Sequence, residues 1–177
     1  NIDFFGMIFY SKSPRNISLH KAKELQICSK NLRIKGVGVF FNEDISRVIN
    51  IIKNLDLKYI QLHGNEDNQY INSLKKLNVN IIKKISERKK IDLKRVNDYN
   101  YADYFLFDYK PKKNELPGGN AKKFDWEIIK NYQIEKPWFL SGGVNSDNIQ
   151  LIVKEFNPFG VDLSSGVEKG LGIKDND

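Results

Sequence analysis

Trp138-Phe139-Leu140-Ser141-Gly142-Gly143 and Gly160-Val161-Asp162-Leu163-Ser164-Ser165-Gly166-Val167-Glu168 repeat one design twice within about thirty residues. A short apolar strand runs into small, amide-rich residues. Asp162 inside the second run needs a partner, because burying an unpaired carboxylate is costly. The turns that follow present backbone N–H groups, a good seat for an oxyanion such as phosphate. Gly142, Gly143, Ser164, Ser165 and Gly166 are therefore candidate phosphate-binding residues, with Asp162 beside them.

Working outward, five more apolar runs precede these two, at 2–10, 34–41, 57–62, 79–85 and 104–109, with the last two spanning 137–140 and 159–163. Most are nearly continuous rather than alternating, which suits parallel strands buried on both faces. Helix-like segments lie between them at 18–29, 46–55, 68–77, 89–97, 126–132 and 146–156. Ile45, Val48, Ile49, Ile51 and Ile52 fall on one broad helical face. Ser18, Asn68, Asp125 and Ser146 read as helix caps. Strands alternating with helices define a parallel α/β protein, and a doubly wound sheet and an eight-stranded barrel both fit that alternation. Polar residues at the strand C-termini and phosphate turns at the last two strands favour the barrel.

The 177 residues make one domain, 1–177, with a real core. The 40% hydrophobic content is that of a globular protein, and no apolar run approaches the ~20 residues of a membrane span. There are 29 Lys and Arg against 22 Asp and Glu, for a net charge of +7. The lysines are scattered without an aromatic-basic stripe, so nucleic acid is not the expected partner. A single cysteine, Cys28, excludes an internal disulfide and fits a reducing, cytoplasmic compartment. By pattern it is a small packed or half-exposed residue near a helix end. His20 and His63 lack metal-ligand spacing, and no secretory signal, Walker A loop or dinucleotide fingerprint is present.

Three strand ends carry further candidates. Arg15, in Ser13-Pro14-Arg15, suits bidentate capture of a carboxylate, or is simply a solvated loop residue. His63, in Gln61-Leu62-His63-Gly64, ends the third strand and reads equally as a site residue or a structural one. Asp108 follows Tyr104-Phe105-Leu106-Phe107, where desolvation can raise its pKa as a general acid needs; the alternative is a loop anchor. The long Gly-, Pro- and Lys-rich segment at 109–123 favours the catalytic reading, since such loops are commonly functional.

Taken in order, Phe9-Tyr10-Ser11-Lys12-Ser13-Pro14-Arg15, Val37-Gly38-Val39-Phe40, Gln61-Leu62-His63-Gly64, Phe107-Asp108, Gly118-Gly119, Phe124-Asp125-Trp126, Leu140-Ser141-Gly142-Gly143-Val144, Asn148 and 161–168 resemble the phosphoribosylanthranilate isomerase family of tryptophan biosynthesis. The resemblance runs from the first residue to Asp175. It implies a (β/α)₈ barrel performing an Amadori rearrangement of a phosphoribosylated anthranilate, with no metal or organic cofactor, as a monomer or homodimer. It further implies Asp108 as general acid, Arg15 on the anthranilate carboxylate, the two turns on the phosphate, Asp162 on a sugar hydroxyl and His63 in the pocket wall.

Two departures stand out. The family's first strand carries a Lys-Ile-Cys-Gly-like motif whose cysteine is the general base, and nothing here matches it; Cys28 follows Ser-Pro-Arg instead of preceding it. Pro117-Gly118-Gly119-Asn120-Ala121 replaces the usual Gly-Gly-Ser/Thr-Gly. The expectation is a barrel truncated to about seven parallel strands, without the first strand and helix or the last helix, and impaired because loss of a general base typically costs ~10²–10⁴-fold. Other phosphosugar barrels are the competing enzymes. An indole-glycerol-phosphate synthase calls for an early catalytic lysine and glutamate, and a ribulose-phosphate epimerase for metal-binding histidines, and neither set is evident. A phosphosugar-binding protein without catalysis is the non-enzyme alternative.

Overall fold

Each of the seven apolar runs forms a strand, and each strand lies parallel to its paired neighbour. The computed structural model describes residues 2–86, 96–108, 129 and 133–175. Within them the chain groups into two compact units, 1–84 with 99–103, and 85–98 with 104–177.

The first unit holds strands β1 (Phe4–Ile8), β2 (Lys35–Phe40), β3 (Tyr59–Leu62) and, as far as residue 84, β4 (Asn80–Ser86). They pair in chain order, with Ile8 opposite Val39, Val39 opposite Gln61 and Gln61 opposite Ile82. The connections are the helices α1 (Leu19–Leu32), α2 (Ile45–Leu55) and α3 (Asn68–Lys75). Every connection between parallel strands must be a crossover, which is why helices alternate with strands here. The core lies where the helices meet the strands: Met7, Phe40, Ile60, Leu62 and Ile81 pack with Val48, Ile51, Ile71 and Leu74, and all nine are buried. Near the strand N-termini, Lys75 Nζ reaches both Asp103 carboxylate oxygens at 2.8 Å, and Asp103 accepts the Ile81 N–H at 2.7 Å. That clamp ties residues 99–103 to this unit.

The second unit holds β5 (Tyr104–Asp108), β6 (Trp138–Ser141) and β7 (Gly160–Asp162), again parallel and in chain order, with α4 (Ile149–Phe156) between the last two. Phe105, Leu106, Phe107 and Leu140 are buried, and the rings of Tyr104, Phe139 and Phe159 stand 5.3–5.8 Å apart. An antiparallel pair, β8 (Glu168–Gly170) with β9 (Ile173–Lys174), follows. This hairpin is not foreseen from the sequence.

Several local expectations are corrected. Ser18 does cap α1, accepting the Lys21 N–H at 3.2 Å. The cap of α3 is Asp67 rather than Asn68: its carboxylate accepts the Tyr70 N–H at 2.8 Å. The start of α4 is organised by Asn145, whose side chain accepts from the Asp147 and Asn148 N–H groups, and not by Ser146. Cys28 is exposed on α1 rather than packed or half-exposed. The expected helix at 89–97 contributes only a 3₁₀ turn, Val96–Asp98, among the described residues; most of it, nearly all of 126–132, the Asp125 cap and the loop 109–123 lie outside them. No helix of the described residues is long and apolar enough to cross a membrane.

Candidate functional site at the strand C-termini

In the second unit the register itself assembles the candidates. Asp108 pairs with Ser141, and Ser141 pairs with Asp162, so the last residues of β5, β6 and β7 form one polar rung. Each is half-buried behind apolar residues of its own strand. The turns begin one or two residues beyond this rung. Gly142 and Gly143 both have positive φ, 86° and 74°, a conformation that glycine adopts without steric penalty. After β7 the exposed Ser164 leads into a 3₁₀ turn, Ser165–Val167. The two turns touch: a Cβ placed on Gly166 would lie 2.1 Å from the Val144 carbonyl oxygen. Only glycine permits that approach. The five predicted phosphate residues are thus brought together, and Asp108 and Asp162 stand on the same rim.

Two supports behind these turns were given no role from the sequence, although Asn148 and Glu168 both fall among the residues that carry the resemblance. Asn148 Nδ2 donates to the Gly143 carbonyl at 2.8 Å, while its Oδ1 accepts the Asn145 N–H at 2.9 Å. Lys174 Nζ donates to the Ser164 carbonyl at 2.8 Å and pairs with Glu168 at 3.2 Å. Glu168 is almost fully buried and also accepts the Gly172 N–H. The unforeseen hairpin therefore braces the second turn from behind.

In the first unit, Arg15 and His63 sit just beyond β1 and β3. Arg15 is half-buried in a turn closed by the Asn16 N–H on the Ser13 carbonyl at 3.1 Å, and its own N–H donates to Ser13 Oγ at 3.1 Å. Pro14 at the centre of this turn is pre-set for such a bend. The His63 N–H donates to the Phe40 carbonyl at 2.9 Å, extending the β2–β3 ladder one step, and its ring contacts the Gln61 side-chain amide.

A buried ion pair lies next to this point. Lys83 Nζ is 2.7 Å from Glu66 Oε2, with both side chains nearly inaccessible to solvent. Burial pushes the Lys83 ammonium below its ordinary range, and the Glu66 carboxylate opposes that push. A lysine inside the apolar run 79–85 was a visible signal, by the argument already applied to Asp162. Among the described residues no cluster of His, Cys, Asp and Glu could hold a metal.

A parallel α/β chain with acidic strand ends and glycine-rich turns at two late strands has the arrangement of the α/β barrel class, in which phosphate sites commonly form at those loops. The family model for N-(5'-phosphoribosyl)anthranilate isomerase matches residues 1–177. A curated relative, the N-(5'-phosphoribosyl)anthranilate isomerase of Caldanaerobacter subterraneus subsp. tengcongensis, is 42% identical over 175 residues, covering 98% of this chain and 81% of the relative. A solved phosphoribosyl anthranilate isomerase in complex with reduced 1-(o-carboxyphenylamino)-1-deoxyribulose 5-phosphate superposes with a TM-score of 0.83 at 30% identity, covering 98% of this chain and 81% of that one. Monomers of the dimeric phosphoribosylanthranilate isomerase of Thermotoga maritima give 0.82 at 30% identity, with coverages of 98% and 81%. The chain belongs to the N-(5'-phosphoribosyl)anthranilate isomerase family, and its fold is that of these barrels.

Proposed function

We propose that this chain acts in tryptophan biosynthesis as the isomerase that converts N-(5-phosphoribosyl)anthranilate to 1-(2-carboxyphenylamino)-1-deoxyribulose 5-phosphate. The observation that carries the reading is the rung Asp108–Ser141–Asp162 set immediately before two touching turns. An anion on those amides leaves its sugar beside two carboxylates. Asp108 gives its proton to the furanose ring oxygen as the C1–O bond breaks and the nitrogen lone pair forms an iminium. Loss of the C2 proton then yields an enolamine, which tautomerises to the ketose. Asp162 binds a sugar hydroxyl, the Gly142-Gly143 and Ser164–Gly166 amides bind the phosphate, Arg15 pairs with the anthranilate carboxylate, and His63 lines the pocket.

The base that takes the C2 proton in this scheme is a cysteine on a Lys-Ile-Cys-Gly strand, which has no counterpart in these 177 residues. Cys28, exposed on α1, does not fill that role. The substrate is a free small molecule, so neither polynucleotide nor membrane enters the reading. One cytoplasmic domain working as a monomer or homodimer suffices; the dimeric Thermotoga maritima relative supports the latter.

The test has two parts. The chain should bind the reduced product analogue, and the chain extended by a Lys-Ile-Cys-Gly strand should turn over substrate. An extended chain that binds the analogue without turnover favours a non-catalytic phosphosugar-binding protein, the reading that the unmatched base motif supports. Failure to bind overturns both.

A further inference from the structure

Glu66 and Lys83 take no part in the proposed chemistry, yet their side chains are only 2% and 1% exposed. A buried ion pair is a poor source of stability, because desolvation offsets the attraction. What this pair holds is therefore the informative feature. Glu66 Oε1 accepts the Gly64 N–H at 3.2 Å and the Asn42 N–H at 2.9 Å. Lys83 Nζ donates to the Gly64 carbonyl at 2.6 Å. Both peptide groups of the residue following His63 are thus captured by one pair of side chains.

Gly64 has no slack in this arrangement, since a Cβ there would lie 2.0 Å from Asn42 Oδ1 and 2.7 Å from Asn42 N. Asn42 Oδ1 in turn accepts the Asn65 N–H at 2.6 Å. Lys83 stands in register with Leu62, so strand alternation puts it on the face opposite Gln61 and His63. It reaches His63 only through the backbone.

We infer that the Glu66–Lys83 pair is a positioning device that fixes the His63–Gly64 peptide and so aims the His63 ring. The inference rests on the proposed reading for the place of His63 in the substrate pocket, though not for the aiming itself. Imidazole ¹⁵N NMR tests it directly, because the chain has two histidines and the other, His20, is an exposed residue of α1 that serves as the reference. In Glu66→Gln with a native-like amide spectrum, the His63 ring resonances should move while those of His20 stay. Affinity for the reduced product analogue should fall by about ten- to a hundredfold, the scale on which misplacement of a contact group is felt.

If Glu66→Gln does not fold, the double variant Glu66→Gln/Lys83→Met removes both charges together and is read the same way. Unmoved His63 resonances in a folded variant overturn the inference. Moved resonances with unchanged affinity uphold the aiming of His63 and refute its place in the pocket.

Discussion

Gly166→Ala should disable the proposed phosphate seat while leaving most of the fold alone. The new Cβ would lie 2.1 Å from the Val144 carbonyl oxygen, 3.2 Å from the Val144 carbonyl carbon and 3.3 Å from Asn145 Cα. All three are backbone atoms, so no side chain can swing aside, and the two turns must part by roughly an ångström. Hydrogen bonds tolerate only about 2.7–3.2 Å, so amides set to bind one anion together no longer can. Each lost bond to a charged group is worth ~1.5–3 kcal/mol. At ~1.4 kcal/mol per decade, losing one or two raises Kd by about ten- to ten-thousandfold. Calorimetric titration with the reduced product analogue and with its dephosphorylated counterpart measures this. The first should weaken sharply and the second little. Gly143→Ala is the comparison: its Cβ meets nothing within 4 Å, so the cost there is the backbone penalty of ~1–2 kcal/mol for an L-residue at positive φ. Gly166→Ala binding the analogue as the parent does, or losing both ligands equally, would refute the seat.

Asp108→Asn should lower turnover in the extended chain by ~10²–10⁴-fold with analogue affinity nearly kept; substantial residual turnover in steady-state assays would remove Asp108 as the acid. Phe40, fully buried at the end of β2, should cost ~3–5 kcal/mol as Phe40→Ala in urea unfolding, and a loss below ~1 kcal/mol would contradict the core described. Asp44 caps α2, and hydrogen bonds from the Ser46 hydroxyl and the Arg47 and Ser46 N–H groups hold its carboxyl below its ordinary 3.8. The unfolded chain then binds that proton more readily than the folded one. The contribution of Asp44 is therefore complete above about pH 3.8 and fades as pH falls through the lower folded value. Acid titrations of the parent and Asp44→Asn should differ in that window; identical curves would deny the cap.

The strands were legible because burial on both faces writes continuous apolar runs, and all seven appear where those runs lie. Their ends were legible for a related reason: a carboxylate such as Asp108 or Asp162 cannot sit in such a run without a purpose. Helix starts were less so. Asp67 and Asn68 are adjacent and chemically alike as acceptors, and only the backbone geometry decides between them. The Glu66–Lys83 pair spans 17 residues, so nothing local joins the two halves. The lysine alone gave the warning. The hairpin 168–174 was missed because its strands are two and three residues long, too short to show a period.

Where glycine would end a helix, this chain repeatedly uses something else. Arg33, Asp56 and Asn157 close α1, α2 and α4 at φ of 58°, 49° and 43°, and Asn78 follows α3 at 54°. Asn and Asp tolerate this region, but arginine does not, at a cost of roughly 1–2 kcal/mol. Arg33→Gly would release that tension in an outer connection, away from the residues proposed for chemistry. The scaffold thus holds a reserve of thermal hardiness that engineering or drift can draw on, which gives the rim proposed for chemistry latitude to tolerate costlier substitutions.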